Sequence, residues 1–165
     1  MSTPAIPTLE IELRELLRQR PEVTVATAES CTGGSIARRI TSVDGSSAYF
    51  VGGVVSYSND VKHRLLGVPL DILENPGAVS EETAKAMAEG AKQALGAEFA
   101  VSSTGIAGPG GGTARKPVGL VYIGQSGPSG TIVERHQFSG NRGEVIDAST
   151  QRALELLVDA IRQSA

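Results

Sequence analysis

Apolar residues recur at Leu9, Leu13, Leu16 and Leu17, the spacing of one helix face, until Pro21 ends the pattern. Val23, Val25 and their neighbours then read as a strand to about Ala28, followed by a tight turn from Glu29 to Gly34. Ile36, Ala37 and Ile40 restore a helical period to about Thr41. A Gly/Ser-rich turn at Asp44 to Ser47 precedes a second strand from Ala48 to Ser56, which completes a βαβ unit. A short helix from Asn59 or Asp60 to Leu66 stops at Gly67, and a loop with Pro69, Pro76 and Gly77 leads to Ser80. Ser80 is placed to cap the next helix, with Glu81 and Glu82 in its acid-favouring first turn. Ala84, Met87, Ala88, Ala91 and Leu95 line one face of that helix, and Gly96 closes it.

Glu98 to Ser103 reads as a third strand running straight into a glycine-rich loop, Thr104 to Gly112. Val118 to Gly124 and Thr131 to Phe138 read as two more strands, joined by the polar Gln125 to Gly130 segment as an antiparallel hairpin. Asn141 and Glu144 have capping-box spacing, and Ile146, Ala153, Leu156, Leu157, Ala160 and Ile161 give the last helix its core face. No repeat or linker divides residues 1–165, so the expectation is a single domain: an α/β fold, a three-layer α/β/α sandwich on a five-stranded mixed, mostly parallel sheet. Such sheets bind ligands at the carboxyl ends of their strands. The Glu29 turn, the polar Ser56 to Asn59 segment and the Thr104 loop all leave from such ends and are expected to converge.

At 165 residues, 40% hydrophobic and 20% charged, the chain is large and apolar enough for one packed core. Its net charge of -3, with no run of Lys or Arg, argues against nucleic acid as the ligand, and six aromatics without a Trp make a poor base-stacking platform. A small molecule fits better. A lone Cys31 excludes an internal disulfide and any CxxC metal motif. The amino-terminal Met-Ser-Thr-Pro-Ala-Ile-Pro-Thr has neither the basic start nor the apolar stretch of a leader, and no apolar run approaches the ~20 residues of a membrane span. A cytoplasmic protein without membrane attachment is expected. Symmetric dimers are common among α/β domains of this size, which leaves a homodimer open.

Glycine departs most from the norm: 20 residues where usage of ~7% predicts about 12. Five fall between Gly105 and Gly112, and Gly33-Gly34 is a pair. The Thr104 to Gly112 loop could offer backbone N–H groups to a phosphate or serve as a flexible turn; it matches neither the Rossmann nor the P-loop pattern. In Glu29-Ser-Cys-Thr-Gly-Gly34, two hydroxyls and a thiol precede a helix, where unpaired N–H groups favour negative charge. From residue type alone Ser30 or Thr32 reads first as a cap of that helix, and Ser30 as a nucleophile is the sharper alternative. Cys31 is a competing nucleophile or a buried structural residue. The candidate bases are His63, His136 and Lys62; at the reference pKa only about four lysines in ten thousand are neutral at pH 7, so Lys62 must be desolvated to act. The two histidines lack ligand spacing, and no metal or other cofactor is implied.

Three segments, Thr27-Ala-Glu-Ser-Cys-Thr-Gly-Gly34, Tyr57-Ser-Asn-x-x-Lys62 and Ser103-Thr-Gly-Ile-Ala-Gly-Pro-x-Gly-Gly112 followed by Lys116-Pro-Val-Gly119, resemble the competence/damage-inducible CinA C-terminal family. The resemblance spans nearly the whole chain. It implies a three-layer α/β/α fold and, as in the family's stand-alone nicotinamide-nucleotide amidases, metal-free hydrolysis of nicotinamide mononucleotide to nicotinate mononucleotide and ammonia. Carried over by position, Ser30 would be the nucleophile, Lys62 its general base and Tyr57 a second hydroxyl that orients or relays the proton. N–H groups near Thr32, Gly33 and Gly34 would hold the oxyanion. Asn59, Thr104, Gly105 and Gly108 would contact substrate, and Arg142 its phosphate. The family commonly has an acid where Asn141 stands. A nucleotide-binding or competence-associated protein without catalysis is the second reading, favoured had Ser30 or Lys62 been missing. A phosphate-transfer enzyme is the third, disfavoured by the absent P-loop lysine and metal-holding carboxylates.

Overall fold

The computed structural model describes residues 5–165, so the first four residues of the segment read above for a leader lie outside the described residues. In chain order the elements are α1 (Leu9–Arg18), β1 (Val25–Glu29), α2 (Ser35–Thr41), β2 (Phe50–Val55), α3 (Asn59–Leu66) and the single turn α4 (Leu70–Ile72). Then follow α5 (Glu81–Leu95), β3 (Phe99–Gly105), β4 (Leu120–Gly127), β5 (Gly130–Gln137) and α6 (Arg142–Gln163). One sheet has the order β2-β1-β3-β4-β5. β1 pairs in parallel with both β2 and β3, while β4 runs antiparallel to β3 and β5. β4 is therefore the one strand opposed to the other four, which makes the sheet mixed and mostly parallel.

Alternation along β1 sorts the two faces. Val25 joins Leu13, Leu17, Ile36, Val101, Leu154 and Leu157 in the core beneath α1, α2 and α6. Ala26 and Ala28 point the other way, to Leu66, Met87, Ala91 and Ala100 beneath α3 and α5. The second face is built from small residues, which lets α5 lie close to the sheet. No described helix is long and apolar enough to cross a membrane.

Two segments differ from the sequence reading. Gln125 to Gly130 was expected as a connection, yet the β4–β5 ladder runs to the Gly127–Gly130 pair and leaves only Pro128 and Ser129 between the strands. The polar residues misled because they are buried: Ser126 Oγ accepts from Thr131 Oγ1 at 2.9 Å, while Gln125 is enclosed with its Nε2 unpartnered among the described residues. The Pro69 to Gly77 loop contains α4 and then a kinked turn, Leu73–Gly77, in which Asn75 is extended and Leu73 is the buried anchor.

Gly90 sits where α5 crosses the end of α3, and a Cβ there would run into the backbone carbonyl of Leu66. Alanine should gain ~1 kcal/mol of helix propensity, but overpacking against backbone costs roughly 1–3 kcal/mol and cannot be relieved by a rotamer change. Gly90→Ala should therefore destabilise the fold, by about 1–2 kcal/mol in urea denaturation. No change or a gain would show that α3 does not rest on α5 as described.

Candidate active site

β1 hands the chain to the Ser30 turn at the carboxyl edge of the sheet. Ser30 N–H donates to the Ser103 carbonyl at 2.9 Å, which keeps the turn tied to β3. Gly33 (φ 59°) and Gly34 (φ 104°) then reverse the chain in a region that side-chain-bearing residues avoid, which accounts for the glycine pair. The cap position of α2 is Gly34, which has no side chain to offer. Its place is taken by Glu29 from the strand end: Oε1 accepts from Ile36 N–H at 2.8 Å and Oε2 from Ala37 N–H at 3.0 Å.

Thr32 Oγ1 lies 2.7 Å from Glu29 Oε1 and 2.6 Å from Ser103 Oγ. An ionised carboxylate can only accept, so the single Thr32 proton goes to Glu29, and Ser103 must donate to Thr32. The proton directions are thereby fixed. Gly33 N–H donates to the Ser30 carbonyl and Ser35 N–H to the Thr32 carbonyl, while the Cys31 and Thr32 amides meet no acceptor among the described residues. The free donors expected beside Ser30 are thus in the turn itself, and those of α2 are occupied by Glu29.

Lys62 comes from α3, whose start is capped by the Ser58 hydroxyl accepting from Val61 N–H at 3.2 Å. Its side chain is buried, with 1% exposure. Nζ is 2.9 Å from Ser30 Oγ, 2.7 Å from the Ser56 carbonyl and 3.4 Å from the Tyr57 carbonyl. A neutral amine spends its two N–H bonds on the two carbonyls, which leaves its lone pair for the Ser30 hydroxyl. Burial lowers the Lys62 pKa from the usual lysine value, with a smaller opposing influence from Cys31. The same burial pushes the Cys31 thiol up to about 11, so it is a poor nucleophile at neutral pH.

Ser30 and Lys62 open onto a cavity of about 300 Å³ that is also lined by Tyr57, Asn59, Thr104, Gly105, Gly108 and Arg142. Three chain segments do meet at this edge of the sheet. Thr32, Gly33 and Gly34 are not in the wall, because Thr32 turns inward to Glu29 and the glycines serve the reversal. Tyr57 is 63% exposed, and its hydroxyl accepts from Arg142 Nη2 at 3.0 Å rather than meeting Ser30 or Lys62. Arg142 Nη1 donates to the Gly108 carbonyl at 2.8 Å, so the guanidinium ties the glycine loop to Tyr57. Thr104 Oγ1 donates to the Ala78 carbonyl at 2.7 Å and keeps its lone pairs for a ligand donor.

Neither histidine reaches Ser30. His63 Nδ1 contacts the Val68 carbonyl at 2.8 Å, and His136 pairs with Glu134 on β5. The cavity wall contains no carboxylate or imidazole, and no cluster of three such groups occurs among the described residues, so no metal ligand set is presented. Its one permanent charge is the Arg142 guanidinium, which favours an anionic ligand. Much of the glycine content serves the backbone: a Cβ at Gly108, where φ is 82°, or at Gly105 would strike Val118 or β4.

The sequence reading missed Glu29 and Ser103 as parts of the site, and Ala78 and Val79 as parts of its wall. The signal for Glu29 was available: a lone acid ending an otherwise apolar and small-residue strand, where burial demands hydrogen-bond partners.

A family model described as the CinA C-terminal domain matches residues 7–161. A CinA-like protein of Leptospira borgpetersenii is 48% identical over 165 residues, covering 99% of this chain and 39% of that protein. The chain thus spans about two fifths of the length of such curated relatives. Among solved structures, a competence/damage inducible protein from Agrobacterium tumefaciens is 42% identical, with TM-score 0.87 over 98% of this chain and 99% of that one. The competence damage-inducible protein A of Klebsiella pneumoniae is 32% identical, with TM-score 0.87 over 92% and 93%. With its sheet order, its Ser30 turn and its glycine loop accounted for, the chain belongs to the CinA C-terminal domain family.

Proposed function

We propose that the chain hydrolyses the carboxamide of nicotinamide mononucleotide to nicotinate mononucleotide and ammonia through a Ser-Lys acyl-enzyme. The observation that carries this reading is the buried Lys62 amine 2.9 Å from the Ser30 hydroxyl, at a cavity that also presents the Arg142 guanidinium and no carboxylate. Neutral Lys62 accepts the Ser30 proton as Oγ bonds to the carboxamide carbon. The Cys31 amide, next to Ser30 in the cavity wall, is the donor this reading assigns to the oxyanion that forms. As the intermediate collapses, the carbon–nitrogen bond breaks, and Lys62 returns the proton to the departing nitrogen, releasing ammonia. Water then attacks the ester, gives a proton to Lys62, and Ser30 leaves with that proton restored.

The remaining wall suits the rest of this substrate. The Thr104 hydroxyl, its proton committed to Ala78, can accept from the carboxamide NH₂. Arg142 has five N–H donors, of which the recorded bonds to Gly108 and Tyr57 leave others for a phosphate. The cationic pyridinium withdraws electrons from the amide and makes the carbonyl a better target.

The test is ammonia release from nicotinamide mononucleotide, nicotinamide riboside and nicotinamide by purified, metal-free protein. The mononucleotide should be preferred by roughly 100-fold or more in kcat/KM, the contribution of a charge-assisted phosphate contact. Arg142→Ala should erase most of that preference. Absence of release from all three, with mononucleotide still bound in calorimetry, would replace the amidase by a binding module.

A further inference from the structure

Glu29 is the only fully buried carboxylate among the described residues, at 1% exposure, and no cation pairs with it. It does not line the cavity, so it cannot touch a ligand there. Its charge is met by two amides at the start of α2 and by the Thr32 hydroxyl. Capping a seven-residue helix does not require this. A Ser, Thr or Asn at the cap satisfies such amides without burying a charge, and the chain instead has glycine at that position. The carboxylate reaches across the turn from the residue next to Ser30, and so fixes both ends of the segment that carries the nucleophile.

We propose that Glu29 is a positioning residue: through its bonds to Thr32, Ile36 and Ala37 it holds the Ser30 turn in the one arrangement that sets Ser30 Oγ against Lys62. The inference rests on Ser30 acting as the nucleophile. Ser103 extends the hold. Because Thr32 gives its proton to Glu29, Thr32 is the acceptor for Ser103, and Ser103 in turn takes the Ser30 N–H on its backbone carbonyl. The carboxylate thus sets the proton direction as far as the Ser103 hydroxyl, and the Ser103 backbone carbonyl separately ties the turn to β3. Both carboxylate oxygens are acceptors in use, so an amide at this position must aim an NH₂ at a backbone N–H or at the Thr32 hydroxyl. Glu29→Gln therefore keeps size and shape while breaking the hold, and Thr32→Val removes one bond from the same set.

The experiment uses a fluorophosphonate, which phosphonylates an activated serine with loss of fluoride and needs no nucleotide recognition. Labelling of Ser30 is followed by mass spectrometry, beside thermal melts and the kcat and KM for mononucleotide hydrolysis. Glu29→Gln should label roughly 100-fold more slowly, the loss expected of a nucleophile displaced by about 1 Å, and kcat should fall in step while KM stays within about twofold. Thr32→Val should move the same way, and Thr32→Ser should restore labelling. A purely stabilising role predicts a lower melting temperature with the labelling rate of folded protein unchanged; labelling of Glu29→Gln within about threefold of the parent would overturn the proposal. Should Glu29→Gln not fold, the same criterion applies to Thr32→Val. If the parent labels at Ser30 and the two variants do not, but no ammonia comes from the mononucleotide, the substrate assignment fails and the Glu29 assignment stands. A parent that does not label at Ser30 overturns both.

Discussion

Ser30→Ala should lower ammonia release from nicotinamide mononucleotide by a factor on the order of 10⁴ to 10⁶, while nucleotide binding stays within a few-fold of the parent. The size follows from what is removed. Without Oγ no covalent bond to the carboxamide carbon forms, and only the turn amides and substrate positioning remain to assist a direct attack by water. Binding should persist because the groups assigned to the phosphate and amide, Arg142 and Thr104, bond to Gly108, Tyr57 and Ala78 rather than to Ser30. Ammonia detection and calorimetry on the same preparation check both halves. Cys31→Ala is the paired control: its thiol is buried and pushed up to about 11, so turnover should survive its loss within about threefold. Full activity in Ser30→Ala, or collapse in Cys31→Ala with the fold intact, would transfer the nucleophile to sulfur or elsewhere.

The layers of this fold were legible because the apolar periods are clean. The leucines of α1, the alanine face of α5 and the Asn141 capping box each announce an element, and Asn141 Oδ1 does accept from Glu144 N–H at 2.9 Å. The antiparallel hairpin is present as expected, and only its connection is shorter, because polarity stood in for exposure at Gln125 and Ser126. Gln125 and Ser126 are polar and buried, and only Ser126 finds a side-chain partner in the neighbouring strand, Thr131. The site divides on the same principle. That three loops converge follows from strand order, since all three leave carboxyl ends of adjacent parallel strands. That Lys62 turns inward does not follow from its helix, which is short and polar; it follows from two backbone carbonyls, of Ser56 and Tyr57, that wait for it across the turn. Glu29 escaped for a related reason. Its partners are amides seven and eight positions along the chain, just beyond a reversal that the positive φ of two glycines allows.

Lys62→Met should lower kcat by a factor on the order of 10³ to 10⁴ and make the protein more stable at neutral pH, a pairing that a merely structural lysine would not give. The rate falls because nothing else near Ser30 can take its proton: both histidines bond elsewhere, and the cavity wall has no carboxylate. The stability sign follows from linkage. Burial lowers the folded-state pKa of Lys62, so between that value and the unfolded value of about 10.4 the unfolded chain holds more protons, and stability rises with pH across that window. Below the folded-state pKa both states carry the proton, and folding bears the full cost of burying the ammonium. Methionine carries no proton and removes that cost at every pH. The stability advantage of Lys62→Met in urea denaturation should therefore be largest at acidic to neutral pH and shrink as pH approaches 10.4. Over the same range the parent's kcat/KM should climb as Lys62 loses its proton and level off above the folded-state pKa, and the residual rate of the variant should lack that rise. A variant that is less stable at neutral pH, or that keeps the ascending limb, would show that Lys62 is held as a permanent ammonium by Ser56 and Tyr57, and the base would have to be sought in another group.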